Sequence, residues 1–423
     1  MVTKKIAYFA LMCLLSVYPL IFYYGIAPTD TSRRVLFIAD LTSPGGFGDQ
    51  VWRGIQDADL ATDPSRRLEI IKIDQYPSLQ FPEPWRSRSL RRQILRELGD
   101  GPVLAMITAS TSANTEPVLE VARAFKVPVL LTVATNDSLL RRLPNETGSA
   151  GLSRLRALRL LPNDSRQAVS LATWIINNRR NYLLYHSAGL QKQAQLRFKT
   201  VPTTSDKQLA IRKVRPITIT KSNERPVMIA YDNSLYGRYL YEQVNQNLSK
   251  SNVKTLSWRF GSFSRMVDLI RDFKSAQARE IIFLGYYPEA RELLDSARAL
   301  NFREPILLSD GAFSSGLLEI DTGSPNIYLS QSVNPQSKLP KSLQGFSVYG
   351  HDAYMIVNLA HQKTDGNSSS QEDFLSRVKQ VIRIVQQGGE RKEKPKGNYE
   401  FDDSGENTAA KFYIVPLHKI KQG

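Results

Sequence analysis

Short runs of apolar, mostly β-branched residues recur along the chain, and each is followed by a polar loop and a helical segment. In the first third these runs are continuous rather than alternating, which is typical of strands in a parallel sheet covered on both faces. Their alternation with helices predicts an α/β lobe of doubly wound topology. The predicted elements are strands Val35–Asp40, Leu68–Ile73, Val103–Thr108 and Val127–Val133, and helices Gln50–Leu60, Ser89–Leu98 and Glu116–Phe125.

A second series of the same kind follows, and two similar lobes in tandem predict a cleft between them. Helices 347–359 and 373–386 and a last strand 411–416 come after it. The elements predicted for the second series are helix Ser165–Asn177, strands Val227–Tyr231, Val253–Trp258, Ile281–Gly285 and Ile306–Leu308, and helices Leu235–Ser249, Met266–Ala276 and one ending at Ala299.

Residues 181–224 interrupt this rhythm, because the connection is far longer than usual between a helix and a strand. We interpret the segment as an insertion with short elements of its own. From Arg179 to Arg225 it carries eleven Lys/Arg against two acids, a net of +9. Such a patch fits an anionic lipid surface, a cell-wall polymer or an acidic protein, and a plain solvated loop is the alternative.

The N-terminus contains an uncharged run from Ile6 to Pro28 behind Lys4 and Lys5. At about 1.5 Å per residue a helix of this length crosses a hydrocarbon core of about 30 Å. The run is either a signal peptide or a membrane anchor, and its length and the Pro28 after the best cleavage site favour an anchor. The lysines before it predict a cytoplasmic N-terminus and an exported body on a single-pass anchor.

The net charge of +16 would normally favour nucleic acid as a partner, but export argues against it. Cys13 is the only cysteine and lies inside the apolar run, so no internal disulfide forms. The four histidines have no metal-ligand spacing, and no P-loop, nucleophile elbow or Cys/His pair occurs. We therefore expect no enzyme activity, no metal and no cofactor.

The stretch from Glu280 to Gly311 is a strand, helix and strand in succession. The loops after the two strands place Tyr286 and Asp310 at one edge of a parallel sheet, where open α/β sheets bind ligands. A phenol ring and a carboxylate there can hold a small cationic or zwitterionic group. The alternative is a helix-capping Asp beside two packing tyrosines.

A polar loop, Ala109–Thr115, joins a buried strand to a helix N-terminus, so its hydroxyls and N–H groups can bind a carboxylate. Helix capping by Thr115 or Ser112 is the alternative. Thr135 follows the next strand at the same edge. Tyr236 opens a helix of the second lobe and either faces the cleft or packs as a helix-start staple.

Together these residues resemble the type I periplasmic binding protein fold, and within it the branched-chain amino acid (Leu/Ile/Val) binding family of ABC-transporter substrate-binding proteins. The resemblance covers nearly all of residues 35–416 except the basic insertion. Its pieces are Leu41-Thr42-Ser43-Pro44, Gly48-Asp49-Gln50, Ala134-Thr135, Pro162-Asn163-Asp164, Leu235-Tyr236-Gly237, Gly285-Tyr286-Tyr287-Pro288-Glu289, Ser309-Asp310-Gly311, Tyr349-Gly350-His351-Asp352-Ala353 and Phe401-Asp402-Asp403-Ser404-Gly405.

The resemblance implies a ligand site formed by both lobes. Ser112 and Thr135 would hold the α-carboxylate of an amino acid, and Asp310 its α-ammonium, where the family often has the longer Glu. The remaining implied ligand residues are Tyr236 and Tyr286, which would close on the ligand, and Phe47 and Val133, which would border its side chain.

The resemblance also implies discontinuous lobes joined by a three-segment hinge, with crossings near 153–162, 331–335 and 398–402. We expect an anchor at 1–34, lobe 1 at 35–155 and 332–400, and lobe 2 at 156–331 and 401–423. The implied function is an extracytoplasmic binding protein for an amino acid or similar zwitterion, serving an ABC permease or a sensor. The alternative is a regulatory interaction protein that keeps the fold and docks onto a membrane or cell-wall partner through the basic insertion.

Overall fold

The computed structural model describes residues 33–42, 45–76, 84–141, 157–179, 225–261, 264–320, 326–335, 339–362, 377–378, 380–382, 395–402 and 404–422. The N-terminal run, the basic insertion and most of the predicted helix 373–386 lie outside these ranges. In the described part of the chain, no helix is both long enough and apolar enough to span a bilayer.

The chain forms strands and helices in alternation, as its hydrophobic pattern predicts. The strands are β1 Arg34–Ala39, β2 Glu69–Asp74, β3 Ala105–Ala109, β4 Val129–Leu131, β5 Ala157–Arg159, β6 Val227–Asp232, β7 Thr255–Phe260, β8 Glu280–Leu284, β9 Ile306–Leu308, β10 Ile327–Gln331 and β11 Tyr413–Pro416. The helices are α1 Phe47–Ala61, α2 Trp85–Gly99, α3 Ser112–Ala124, α4 Ser138–Arg141, α5 164–179, α6 Leu235–Lys250, α7 Met266–Ser275, α8 Tyr287–Ala299, α9 Ser315–Glu319, α10 Ser347–Gln362 and α11 Leu417–Gln422.

The chain divides into two compact units. Unit 1 comprises residues 1–162 and 338–410, and unit 2 comprises residues 163–337 and 411–423. The chain therefore passes from one unit to the other three times, after Pro162, Ser337 and Ala410.

Unit 1 contains a five-stranded sheet in the order β2-β1-β3-β4-β5, and every neighbouring pair is parallel. β3 and β4 are buried along their whole length, and β1 is buried after Arg34, as continuous apolar runs predict. The edge strand β2 is partly exposed, whereas the edge strand on the other side, β5, is buried along its length. The core includes Leu36, Ile38, Met106 and Leu131.

Unit 2 contains a six-stranded sheet in the order β11-β10-β9-β8-β6-β7. Its strands are parallel except β11, which runs antiparallel to β10. The expectation of a purely parallel sheet is therefore wrong at this edge. β11 enters straight after the third passage between units, so no crossover helix sets its direction.

Helix α3 begins at Ser112, four residues before the predicted start at Glu116. The polar residues predicted as a loop form its first turn, because the Thr115 hydroxyl donates to the Thr111 carbonyl at 3.0 Å and so fits a helix. The earlier start places Ser112 at the helix N-terminus itself.

Candidate functional site

Two loops of unit 1 meet where β3 and β4 end. Ser112 opens α3, and its Oγ accepts a hydrogen bond of 3.2 Å from the backbone N–H of Asn136. Thr135 precedes that residue, and Ser112 and Thr135 are each 3% exposed. The structure therefore brings together the two hydroxyl residues that the sequence assigns to a carboxylate.

The N-terminus of α3 has no side-chain cap. Its N-cap residue, Thr111, makes no capping bond, and the Thr115 hydroxyl donates to backbone carbonyls instead. The alternative of capping by Thr115 or Ser112 is thus wrong, since Ser112 accepts from Asn136. The N–H of Asn114 donates to the Thr111 carbonyl at 3.0 Å, so the N–H groups of Ser112 and Ala113 are the ones at this helix N-terminus that could bind an anionic group.

Neutral polar side chains also lie at the ends of β2 and β3, where they hydrogen-bond to one another. The Thr108 hydroxyl donates to Ser110 Oγ at 2.9 Å, and Ser110 Oγ donates to Gln75 Oε1 at 3.0 Å. All three residues are at most 2% exposed. The chain of hydrogen bonds fixes the strand ends without placing a formal charge among them.

Arg159 supports the Thr135 loop from inside unit 1, and the sequence reasoning missed it. Its guanidinium donates to the carbonyls of Thr135 at 3.1 Å and Asn136 at 2.6 Å, and it pairs with Glu406 at 2.9 Å. The arginine is fully buried. A single cation within the apolar strand Ala157–Arg159 was the available signal, because a buried arginine needs partners.

Asn136 holds its loop through three of its polar groups. Its N–H donates to Ser112, its carbonyl accepts from Arg159, and Oδ1 accepts from the N–H and hydroxyl of Ser138. Its Nδ2 is buried without an acceptor among the described residues. The loop therefore retains one donor for a group from outside the described chain, such as water or a ligand.

Phe47 and Val133 also lie in unit 1. Phe47 opens α1, is half-buried, and packs edge-on against Phe346 with ring centroids 5.0 Å apart. Val133 follows β4 and is 7% exposed. Their assignment to the border of a ligand side chain stays a prediction.

The other predicted site residues form one cluster in unit 2, around Asp310. The Tyr236 hydroxyl donates to Asp310 Oδ1 at 2.7 Å, and Gln167 Nε2 donates to the same oxygen at 2.8 Å. Tyr286 lies beside Tyr236 with ring centroids 5.6 Å apart. The structure thus brings Tyr236, Tyr286 and Asp310 together where β6, β8 and β9 end.

Asp310 is a buried carboxylate, 4% exposed. Burial raises its pKa above the ordinary value, and the hydrogen bonds from Tyr236 and Gln167 oppose that shift. Among the described residues, no Lys, Arg or His forms an ion pair with it. A cation brought by a ligand would supply the missing charge.

Other carboxylates surround the two tyrosines. Burial raises the pKa of Tyr286, and the negative charges of Asp232, Asp164 and Asp310 raise it further. Burial also raises the pKa of Asp232 and of Glu289. This part of unit 2 is therefore aromatic and acidic.

The alternative of a helix-capping role for Asp310 is wrong, and the alternative of packing tyrosines is confirmed. Asp310 opens a short 3-10 turn whose N-cap is Ser309, so it is not a helix N-cap. The N-cap of α6 is Ser234, which accepts from the N–H of Gly237, while the Tyr236 hydroxyl binds Asp310. The two tyrosine rings pack against each other, and the Tyr236 hydroxyl in addition hydrogen-bonds to Asp310.

Gln167 is the second residue that the sequence reasoning missed. It is fully buried in α5, and its amide donates both to Asp310 and, at 3.1 Å, to Ser330 Oγ. The available signal was the position of Gln167 itself. It follows the polar first residues of α5 and stands beside Ala168, on the face of the helix that the apolar residues predict to be buried. A buried amide of this kind needs a specific partner.

No family model and no curated protein matches the chain. Solved structures do match, at identities low enough that the likeness is one of fold. A leucine binding protein from Thermotoga maritima matches at a TM-score of 0.62 and 17% identity, over 90% of this chain and 98% of that one.

Two further structures extend the comparison. The branched-chain amino acid transporter substrate binding protein from Streptococcus pneumoniae, in complex with isoleucine, has a TM-score of 0.57 and 13% identity, over 91% of this chain and 100% of that one. A solute binding protein of an ABC transporter from Rhodopseudomonas palustris, in complex with p-hydroxybenzoic acid, has a TM-score of 0.59 and 14% identity, over 90% and 91%. The two-lobed fold that the sequence resemblance implies is confirmed.

Proposed function

We propose that this protein binds an amino acid or a similar small zwitterion and delivers it to an ABC transporter, without catalysing a reaction. The observation that carries the proposal is Asp310, a buried carboxylate whose pKa is raised and which has no cationic partner among the described residues. An ammonium group is the simplest ligand feature that satisfies such a carboxylate.

The two units differ in the charge they would accept. In unit 1, Ser112 and Thr135 with the uncapped N-terminus of α3 offer neutral donors, which suit a carboxylate. In unit 2, Asp310 with Tyr236 and Tyr286 offers an anion and aromatic rings, which suit an ammonium. A ligand that carries one charge of each sign uses both sets.

Asp310 Oδ1 already accepts two side-chain hydrogen bonds. We therefore assign the ligand ammonium to Oδ2, with the tyrosine rings as its apolar walls. Phe47 and Val133 would border the ligand side chain, as the sequence resemblance implies. The solved structures of similar fold include proteins bound to isoleucine and to p-hydroxybenzoic acid, so the fold accommodates carboxylate ligands with and without an ammonium.

We further propose that the uncharged run Ile6–Pro28 is a single-pass signal anchor in the cytoplasmic membrane. The body of the protein would then lie in the periplasm or extracytoplasmic space, next to a permease or sensor partner. The support is the length of the run and the lysines before it.

A thermal-shift screen tests the ligand. The full chain, in lipid nanodiscs, is heated with each of the common amino acids and with 4-hydroxybenzoate. Ligand at about 100 times its Kd adds about 2.7 kcal/mol to the unfolding free energy, so a true ligand raises Tm by several degrees.

Asp310→Asn should abolish the shift, and Asp295→Asn is the matched control because it removes an exposed carboxylate of the same unit. A shift with 4-hydroxybenzoate that survives Asp310→Asn would contradict the zwitterion assignment. A panel without any shift would contradict ligand binding as a whole.

A second candidate is a regulatory interaction protein that keeps the fold. The observation that favours it is that Tyr236 and Gln167 already occupy Asp310 within unit 2, as they would in a purely structural cluster. This candidate predicts no response to any ligand of the panel and loss of a membrane or cell-wall partner when residues 187–222 are deleted.

A further inference from the structure

Among the described residues of unit 1, five large apolar side chains are exposed; three lie at the end of the sheet where the strands begin, and the other two, Tyr76 and Trp85, lie at the opposite end. Leu60 is 73% exposed, Leu95 is 41% exposed and Phe125 is 50% exposed. Leu60 lies in the last turn of α1, Leu95 lies one residue before the last turn of α2, and Phe125 immediately follows α3. These helices connect parallel strands, so their C-terminal ends share the edge at which the strands begin.

Basic side chains accompany them. Arg66, Arg96 and Arg123 are exposed and lie just after α1, in the last turn of α2 and in the last turn of α3. We call these three arginines with Leu60, Leu95 and Phe125 the basic pole of unit 1. Among the described residues, the exposed charges at this end are five basic residues, Arg33, Arg66, Arg96, Arg123 and Lys126, and four acidic ones, Asp63, Glu69, Asp100 and Glu120.

The chain enters the described structure at this same end. The Arg33 guanidinium donates to the Ser65 carbonyl at 2.6 Å, and Arg34 Nη2 donates to the Glu97 carbonyl near the end of α2 at 3.4 Å. Arg34 is six residues after Pro28, where the uncharged N-terminal run ends. Six residues span at most about 20 Å when fully extended.

We infer that the basic pole of unit 1 rests on the surface of an anionic phospholipid bilayer. The inference depends on the proposed membrane anchor and adds an orientation to it. Apolar side chains flanked by arginines match the boundary between acyl chains and anionic headgroups, where apolar burial and attraction to the headgroups both favour binding. The opposite edge of the sheet, with Ser112 and Thr135, then faces away from the membrane.

The helix α2 supplies an internal control. Trp85, at its first residue, is 56% exposed, and it lies 14 residues or about 21 Å along the helix axis from Gly99. Trp85 is thus as exposed as the apolar residues of the basic pole, but it lies at the opposite end of α2 and serves as the control position.

The experiment uses the full chain in nanodiscs of phosphatidylglycerol whose headgroups carry a fluorescence quencher. The sole cysteine is removed by Cys13→Ser, and a fluorophore is attached after Leu95→Cys, Phe125→Cys or Trp85→Cys. The fluorophores at positions 95 and 125 should lose most of their emission, and the one at 85 should lose little.

Charge reversal tests the electrostatic part. Arg96→Glu with Arg123→Glu should restore emission at position 125, while Arg53→Glu with Arg88→Glu, nearer the other end of unit 1, should not. The same quencher in phosphatidylcholine discs should reduce the emission at positions 95 and 125 by less, because the anionic headgroup is missing. Equal quenching in both lipids, or equal effects of both double variants, would overturn the inference.

The remaining outcomes separate this inference from the proposed function. A chain that stays in the disc but shows no quenching at 95 and 125 overturns the orientation and leaves the anchor standing. A chain that 1 M salt releases from the disc contradicts the anchor and the orientation together. Self-quenching between fluorophores without lipid quencher would identify a second copy of the chain as the occupant. Ligand-induced thermal shifts are independent of all three results.

Discussion

At the scale of single residues, we expect the charge of Asp310 to matter for ligand binding and not for folding. Both of its described side-chain hydrogen bonds fall on Oδ1, and an asparagine keeps that oxygen. Because burial raises the pKa of Asp310, the folded state holds the proton more tightly than the unfolded chain does. The carboxyl group therefore favours folding at low pH, and this contribution is lost as the pH rises through the raised pKa.

We predict that Asp310→Asn leaves the Tm of the ligand-free protein at pH 7 unchanged or raises it, because the variant removes a buried charge. The difference from the native chain should shrink as the pH falls toward the ordinary pKa of Asp. Calorimetry of the full chain across this range measures both effects. A marked fall in Tm at pH 7 would mean that the ionised carboxylate is structural.

The same shift predicts how ligand affinity depends on pH. An ammonium binds the ionised form of Asp310, so affinity should fall as acidification protonates the group through its raised pKa. Titration calorimetry with the best amino acid of the screen measures this, and Asp310→Asn should show weak binding at every pH. Affinity that is flat with pH in the native chain would contradict Asp310 as the ammonium partner.

Arg159 is the residue on which the Thr135 loop depends. We predict that Arg159→Met lowers the unfolding free energy by about 3 kcal/mol, because it leaves Glu406 without its buried partner and two carbonyls without a donor. Arg265→Met is the control, since that exposed arginine pairs with Asp268 on the surface and should change stability by about 0.5 kcal/mol at most.

Adding Glu406→Gln to Arg159→Met should recover part of the loss, because it removes the unpaired charge. Denaturant unfolding of the four proteins provides the measurement. Equal stabilities of Arg159→Met and Arg265→Met would show that the buried network is dispensable.

At the scale of elements, α1 and α10 pack with their backbones in close approach. A Cβ at Gly54 would overlap the Ser347 carbonyl, and a Cβ at Gly350 would overlap the Val51 carbonyl. The Gln50 side chain accepts from Phe346 N–H at 3.2 Å in the same contact. The two glycines thus hold a helix that comes late in the chain against one that opens unit 1.

We predict that Gly54→Ala and Gly350→Ala each lower stability by about 1–3 kcal/mol through overpacking. Gly99→Ala is the matched control, because nothing lies within 4 Å of a Cβ at the end of α2. That substitution should be neutral or stabilising, since alanine is the better helix former. Urea midpoints rank the three variants, and a destabilised Gly99→Ala with unaffected Gly54→Ala would refute the packing argument.

At the scale of the whole molecule, the proposed function requires residues of both units to act on one ligand. We predict that Thr135→Val in unit 1 weakens binding by about 1.5 kcal/mol, or about tenfold, through loss of a hydrogen bond to a charged group. Asp310→Asn in unit 2 should weaken it more. The ligand-free Tm of the full chain should be nearly unchanged in both variants.

Thr255→Val removes a hydroxyl of unit 2 that donates to Asn245 at 2.6 Å and serves as the control for threonine loss. Titration with the same ligand should find its affinity unchanged. Binding that survives Thr135→Val but not Asp310→Asn would confine the ligand to unit 2.

The sequence by itself determined the order of strands and helices, the two-lobed α/β architecture and the loops that follow the strands. Hydrophobic periodicity is a local property, so it can be read from the sequence. A parallel sheet places the ends of its strands at one edge, and residues that follow neighbouring strands can therefore be grouped from their positions alone. This reasoning grouped Ser112 with Thr135 in one lobe, and Tyr236, Tyr286 and Asp310 in the other. The order of the quoted motifs carried the resemblance. Local patterns did not reveal the antiparallel β11 or the early start of α3, because a passage between units and side-chain bonds to the backbone decided them.

Only the tertiary structure decided which polar groups satisfy one another. Arg159 meets Glu406 across 247 residues, and Gln167 meets Asp310 across 143. A buried polar side chain must find a partner, but the requirement does not say where in the chain that partner lies. The pKa of Asp310 likewise depends on burial by residues remote in sequence, and burial exists only once the chain has folded.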